Sequence, residues 1–136
     1  YMYELHRAVR LVVDTGIHYY KWSFDRTFKY MKKYLHLSNE EIKNEILRYI
    51  CDPGQACAYK LGELTFHELR KFYFEKYPND YKGYHKLVLD SGPCELELLI
   101  DKIIKLCRKK KYTHSKKTNK EYSRILENIF TGNCIV

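Results

Sequence analysis

Leu5-His6-Arg7-Ala8-Val9-Arg10-Leu11-Val12-Val13-Asp14-Thr15-Gly16 decides the fold class: Leu5, Ala8, Val9, Val12 and Val13 fall at i, i+3, i+4, i+7 and i+8. At 3.6 residues per turn this spacing gathers five apolar side chains into one stripe, where a strand would alternate them. Gly16 follows in Asp14-Thr15-Gly16 and is expected to bend or end the helix.

The same period continues downstream. Ser23 is suited to N-cap a second helix to about Leu35, with Phe24, Phe28 and Met31 on one side. Ser38 and Glu41 make a Ser-x-x-Glu capping box opening a third helix to about Ile50. Ile42, Ile46 and Ile50 form its expected buried line. Asp52-Pro53-Gly54 marks a boundary, with Asp52 as a cap and Pro53 in the first turn of a long fourth helix to about Tyr77. Gly62 lies inside that helix. An interior glycine costs about 1 kcal/mol relative to alanine, so a close backbone approach or a kink is expected there.

Pro78-Asn79-Asp80 breaks the chain. A fifth helix is expected from about Tyr81 to Leu89, ending near Gly92-Pro93, and a sixth from about Glu95 to Lys109. A basic loop comes next, and Thr118 is placed to cap a last helix to about Phe130. No run alternates as a strand would. The expectation is an all-α protein, one compact bundle of six to seven helices.

Composition narrows the function classes. With 136 residues the chain is one domain's worth, and 45% apolar residues suit a packed core rather than disorder. Fourteen tyrosines favour grooves and half-buried faces, since the ring is apolar and the hydroxyl polar. No basic start leads into an apolar stretch, which argues against a signal peptide. Apolar runs are far shorter than the ~20 residues of a membrane span, so a soluble protein without a membrane partner is expected. Cys51, Cys57, Cys94, Cys107 and Cys134 are odd in number and form no CxxC pair, pointing to reduced thiols in a cytoplasmic or virion setting. The chain opens at Tyr1 with the helical pattern already running by Leu5, so it is expected to be a piece of something longer, or a processed product.

The net charge of +8 is concentrated in Arg108-Lys109-Lys110-Lys111 and Lys116-Lys117. This stretch reads as a solvated basic loop, or alternatively as a contact with nucleic acid or another acidic partner.

The histidines bear on metal chemistry. A zinc peptidase of the helical type needs His-Glu-x-x-His, two imidazoles on the ion and a glutamate activating water. Here His67-Glu68-Leu69-Arg70-Lys71 puts a lysine where the second histidine belongs, so His67 reads as a helix-surface residue. His6, His18, His36, His85 and His114 have no ligand spacing. Cys51 and Cys57 straddle a helix start, but no further zinc partners are identifiable. No Gly-x-Ser-x-Gly elbow or phosphate-cradling loop is present, and Cys57 lacks the histidine context of a cysteine peptidase.

Several ordered blocks carry a resemblance. Arg7 through His18 with Trp22 is one, and Glu45-Ile46-Leu47-Arg48-Tyr49 is another. Pro53-Gly54-Gln55-Ala56-Cys57-Ala58-Tyr59-Lys60-Leu61-Gly62, Leu69-Arg70, and Tyr84-His85 with Leu89, Gly92 and Leu96 complete the series. Over about residues 4 to 104 the chain resembles the family catalogued as domain of unknown function 885, whose members look like helical, gluzincin-type zinc peptidases of bacteria and some large viruses. The resemblance implies that residues 1–104 are the C-terminal part of a peptidase-like domain and line a cleft opposite the zinc helix. Residues 105–136 would be an extension, a basic loop and a terminal helix. Zinc would come with an upstream segment, in cis or on another chain, so this chain has no cofactor of its own and is inactive alone.

Residue by residue, the resemblance makes His18 and Tyr59 candidates to donate to a developing oxyanion. It makes Arg48, Tyr49 and Gln55 candidates to bind a peptide substrate, with Arg48 suited to hold a carboxylate bidentately. Each has a structural reading too. Arg10 and Asp14 at i, i+4 can be a helix ion pair, Arg48 a cap on carbonyls, and Tyr59 a core phenol. Three departures stand out: the absent His-Glu-x-x-His, Cys57 in place of the usual serine or alanine, and a tail from Lys105 outside the pattern. The alternative reading is a non-catalytic binding module whose Lys109, Lys110, Lys111, Lys116 and Lys117 contact nucleic acid.

Overall fold

The computed structural model describes residues 2–108, 120 and 123–128. Among them the secondary structure is all helical: α1 (Met2–His18), α2 (Phe24–Tyr34), α3 (Asn39–Cys51), a 3-10 turn (Gln55–Cys57), α4 (Ala58–Phe74), α5 (Tyr81–Ser91) and α6 (Leu96–Cys107). Residues 123–128 are also helical. The expected Thr118 cap lies outside the described residues, as do His114 and Cys134. By packing, the chain divides into Tyr1–Leu61 and Gly62–Val136, with the boundary inside α4. That division is of a different kind from the one the resemblance drew at residue 104.

In the first unit α1, α2 and α3 pack on one another. Ser23 caps α2 by accepting from the Arg26 N–H, and Ser38 and Glu41 complete the capping box of α3. Val9, Val13, Met31, Ile42, Ile46 and Tyr49 form the core. Two expectations are corrected here. Ile50 is 44% exposed, and Tyr49 takes the inward place one position earlier. Gly16 does not end α1, which runs on to His18. A Cβ at Gly16 would lie 2.7 Å from ring carbons of Trp22, so the glycine admits the indole against the helix backbone.

The Asp52-Pro53-Gly54 boundary also works differently. Asp52 closes α3, and Gly54 turns the chain at φ 84° into the 3-10 turn before α4 starts at Ala58. The buried Asp14 carboxylate fixes this turn by accepting from the Gly54 N–H at 3.0 and 3.1 Å. Asp14 therefore serves the turn, not an ion pair with Arg10.

The second unit is built on Leu64, Leu69, Tyr73, Tyr84, Ile100, Ile103 and Ile104, with Ile125 from the helical residues 123–128 in the same core. Asp80 caps α5 by accepting from the Gly83 N–H and also receives the Tyr73 hydroxyl at 2.9 Å. Gly62 has nothing within 4 Å of an added Cβ, so no close approach explains it. Among the described residues no helix is long and apolar enough to cross a membrane.

Candidate functional site: an arginine-lined cavity

The polar side of α1 carries its own helical spacing. Tyr3, His6, Arg7 and Arg10 fall at i, i+3, i+4 and i+7, so they share a face while Val9 and Val13 turn to the core. That face meets Arg48 of α3, Gln55 of the 3-10 turn and Tyr59 of α4 around a cavity of about 300 Å³.

Three guanidinium groups therefore converge within the first unit, each held by neighbours. Arg48 donates to Glu45 Oε2 at 2.7 Å and lies over the Tyr49 ring at 5.2 Å. Arg10 donates to Gln55 Oε1 at 3.3 Å and stands between the rings of Tyr49 and Tyr59. Arg7 lies 5.4 Å over the Tyr59 ring. Ring faces attract cations and limit their rotamers, so the heads are positioned before any ligand arrives.

Glu45 anchors the arrangement. Its Oε2 also receives the Tyr49 hydroxyl. Burial alone would raise the Glu45 carboxyl, but hydrogen bonds from Tyr49 and Arg48, with the Arg48 and His6 charges, hold it below its ordinary value. The Tyr49 phenol is pushed up by burial and by Glu45. Two buried polar atoms of the lining, His6 Nε2 and Arg10 Nε, have no hydrogen-bond partner among the described residues. His6 Nε2 comes within 3.7 Å of Glu45 Oε2, which is an electrostatic approach and not a hydrogen bond.

Burial lowers the His6 pKa, opposed by Glu45 and assisted by Arg10 and Arg48. A histidine whose folded pKa is lowered stabilises the fold above its unfolded value, and that contribution is lost as pH falls. His6→Gln is therefore expected to flatten the decline in melting temperature between about pH 7 and pH 5, where histidines titrate. Parallel melting curves for both proteins over that range would refute this.

The sequence candidates divide. Arg48, Gln55 and Tyr59 come together at the cavity, and Tyr59 is exposed, not a core phenol. Arg48 pairs with Glu45 instead of capping carbonyls. Tyr49 is 1% exposed and supports the arginines from below. His18 is not with them: its Nε2 meets the Tyr49 carbonyl at 2.9 Å and ties α1 to α3. It is absent from the cavity lining, which on α1 consists of Tyr3, His6, Arg7 and Arg10. Tyr3, His6, Arg7 and Arg10 were missed as site residues, although their spacing was readable. Lys109, Lys110, Lys111, Lys116 and Lys117 lie outside the described residues.

Metal ligation finds no donor set here. Among the described residues no three His, Cys, Asp or Glu side chains gather as a metal requires. His67 Nδ1 is 3.1 Å from Arg70, and Glu68 bonds Lys71. Cys51 and Cys57 are free thiols, and burial, then Asp14, pushes the Cys57 thiol up, away from nucleophile chemistry. A larger cavity of about 400 Å³ lies in the second unit, bounded by Phe66, Tyr84, Val88 and Leu89. Its Arg70, His67 and Glu63 are engaged with one another, His85 also lines it, and it holds one guanidinium where the first cavity holds three.

A family profile described as "Bacterial protein of unknown function (DUF885)" matches residues 1–103. No curated protein and no solved structure matches the chain.

Proposed function

The chain belongs to the DUF885 family of bacterial proteins of unknown function, and we propose that the arginine-lined cavity is the carboxylate-binding wall of a peptide cleft in a metallopeptidase-like protein. The observation that carries this reading is the convergence of Arg7, Arg10 and Arg48 on one cavity with His6 Nε2 and Arg10 Nε unpartnered. Guanidinium forks match the two oxygens of a carboxylate, and Gln55 and the Tyr59 hydroxyl add neutral donors at the rim. The formal charge of the group, three arginines against Glu45, favours an anion.

In this reading the chain recognises and orients a peptide but does not cleave it. Among the described residues no donor set for zinc gathers, and no hydrolytic step is assigned to them. Water activation would belong to a metal-bearing segment supplied in cis or by another chain, with the present residues forming the C-terminal part of the domain. His18 has no oxyanion role in this scheme, since its ring serves the α1–α3 tie.

The test is calorimetric titration with acetylated short peptides, one set ending in a free carboxylate and one in an amide. The free acids are expected to bind at least about tenfold more tightly, the value of one charge-assisted contact. Equal affinity for acid and amide would remove the carboxylate reading.

A further inference from the structure

A second surface of the first unit has a different character. Trp22, Tyr30 and Tyr34 are in ring contact along α2, with centroids 5.4 and 4.9 Å apart. Gly16 seats the indole. Arg26 covers it at 4.4 Å, and Lys33 stands 5.0 Å over Tyr34. Arg26, Lys29 and Lys33 recur at i, i+3 and i+7, a cationic stripe on one side of the helix. Asp25 is the single carboxylate of α2, set against Arg26, Lys29, Lys32 and Lys33. The turn leading into the helix adds two exposed rings, Tyr19 at 77% and Tyr20 at 67%, packed edge to face, and then Lys21.

We propose that the α2 stripe and the Tyr19–Tyr20 turn form a binding surface for single-stranded nucleic acid. Cations at one-turn and two-turn intervals suit a phosphate backbone, and exposed phenol rings offer stacking faces to bases. A duplex keeps its base faces covered, so only an unpaired strand uses both features. From Arg26 to Lys33 the helix rises about 10 Å, the length of about three stacked nucleotides. An anionic bilayer fits less well: of the non-tyrosine apolar side chains of α2 and its cap, Met31 and Leu35 are buried and Phe24 alone is exposed, too little to anchor in acyl chains. The surface shares no residue with the carboxylate cavity.

Fluorescence anisotropy of the full chain with labelled oligothymidylate tests this, beside a duplex of equal length, heparin and phosphatidylserine vesicles. The oligothymidylate is expected to bind best, with a log–log salt slope of about −2 for three phosphate contacts. The triple variant R26Q/K29Q/K33Q is expected to bind about tenfold or more weakly, with the slope near zero. The double variant Y19L/Y20L, which keeps apolar bulk but no stacking face, is expected to lose about tenfold for the oligothymidylate and nothing for heparin. Neutralising Lys109, Lys110, Lys111, Lys116 and Lys117 should leave these losses in place. The proposal is overturned if the triple variant binds as the parent does. It is equally overturned if Y19L/Y20L changes nothing, if the vesicles bind and the oligothymidylate does not, or if the tail variant abolishes binding. The replaced residues are on the surface, and an unchanged melting temperature shows that the variants are folded.

Discussion

Ile46→Ala is expected to lower the stability of the first unit by about 2–5 kcal/mol, while Ile50→Ala changes it by about 1 kcal/mol or less. Ile46 is fully buried against α1 and α2 side chains, and Ile50 is 44% exposed at the end of the same helix. Truncating Ile46 removes three carbons from a packed core and leaves a cavity that the neighbours fill only partly. A small domain has about 5–15 kcal/mol in all, so such a loss takes a large share of it. Glu45, Arg48 and Tyr49 lie on either side of Ile46 in α3, so loosening the helix releases the arginine anchors together. Denaturant unfolding of the two variants checks the expectation. Equal midpoint shifts would mean that α3 is turned so that Ile50, not Tyr49, faces the core.

Arg10→Gln is expected to weaken carboxylate binding by about tenfold to a hundredfold, the loss of a charge-assisted hydrogen bond in a partly dry site. Arg10 is the most constrained of the three guanidiniums: two aromatic rings flank it, Gln55 accepts from it, and its Nε is buried without a partner. Arg10→Lys keeps the charge but not the planar fork, so an intermediate loss is expected. Calorimetric titration with the free-acid peptides gives both values. Wild-type affinity in Arg10→Gln would place the ligand elsewhere.

Much of the fold was legible because local chemistry dictates it. Ser23, Ser38 and Glu41 satisfy the orphan N–H groups of their helices by short-range bonds that depend on sequence spacing alone. The misreadings needed a partner from far along the chain. Gly16 is compatible with an ending helix or a continuing one, and the Trp22 indole decides it. Ile50 and Tyr49 both fall near the Ile42–Ile46 line, and the phenol goes inward because Glu45 can accept its hydroxyl. Asp14 looks like an ion-pair partner for Arg10 until Gly54, forty residues later, presents its N–H.

The site was half legible for a related reason. Arg48, Gln55 and Tyr59 stand in blocks that resemble a family, and they do meet at one cavity. Tyr3, His6, Arg7 and Arg10 form a polar stripe at helical spacing, a pattern that ordinary solvated helix faces share. Only the packing of α1 against α3 and the 3-10 turn distinguishes it. His18 belongs to a resembling block as well, but its ring is held at the Tyr49 carbonyl and does not line the cavity.

Arginine side-chain Nε–H signals, followed by nuclear magnetic resonance during titration with an acetylated free-acid peptide, interrogate the cavity atom by atom. Arg7, Arg10 and Arg48 should shift with one shared saturation curve while Arg26 and Arg70 stay still. Shifts confined to Arg26 or Arg70, or none at all at saturating peptide, would contradict the assignment of this cavity to a peptide carboxylate.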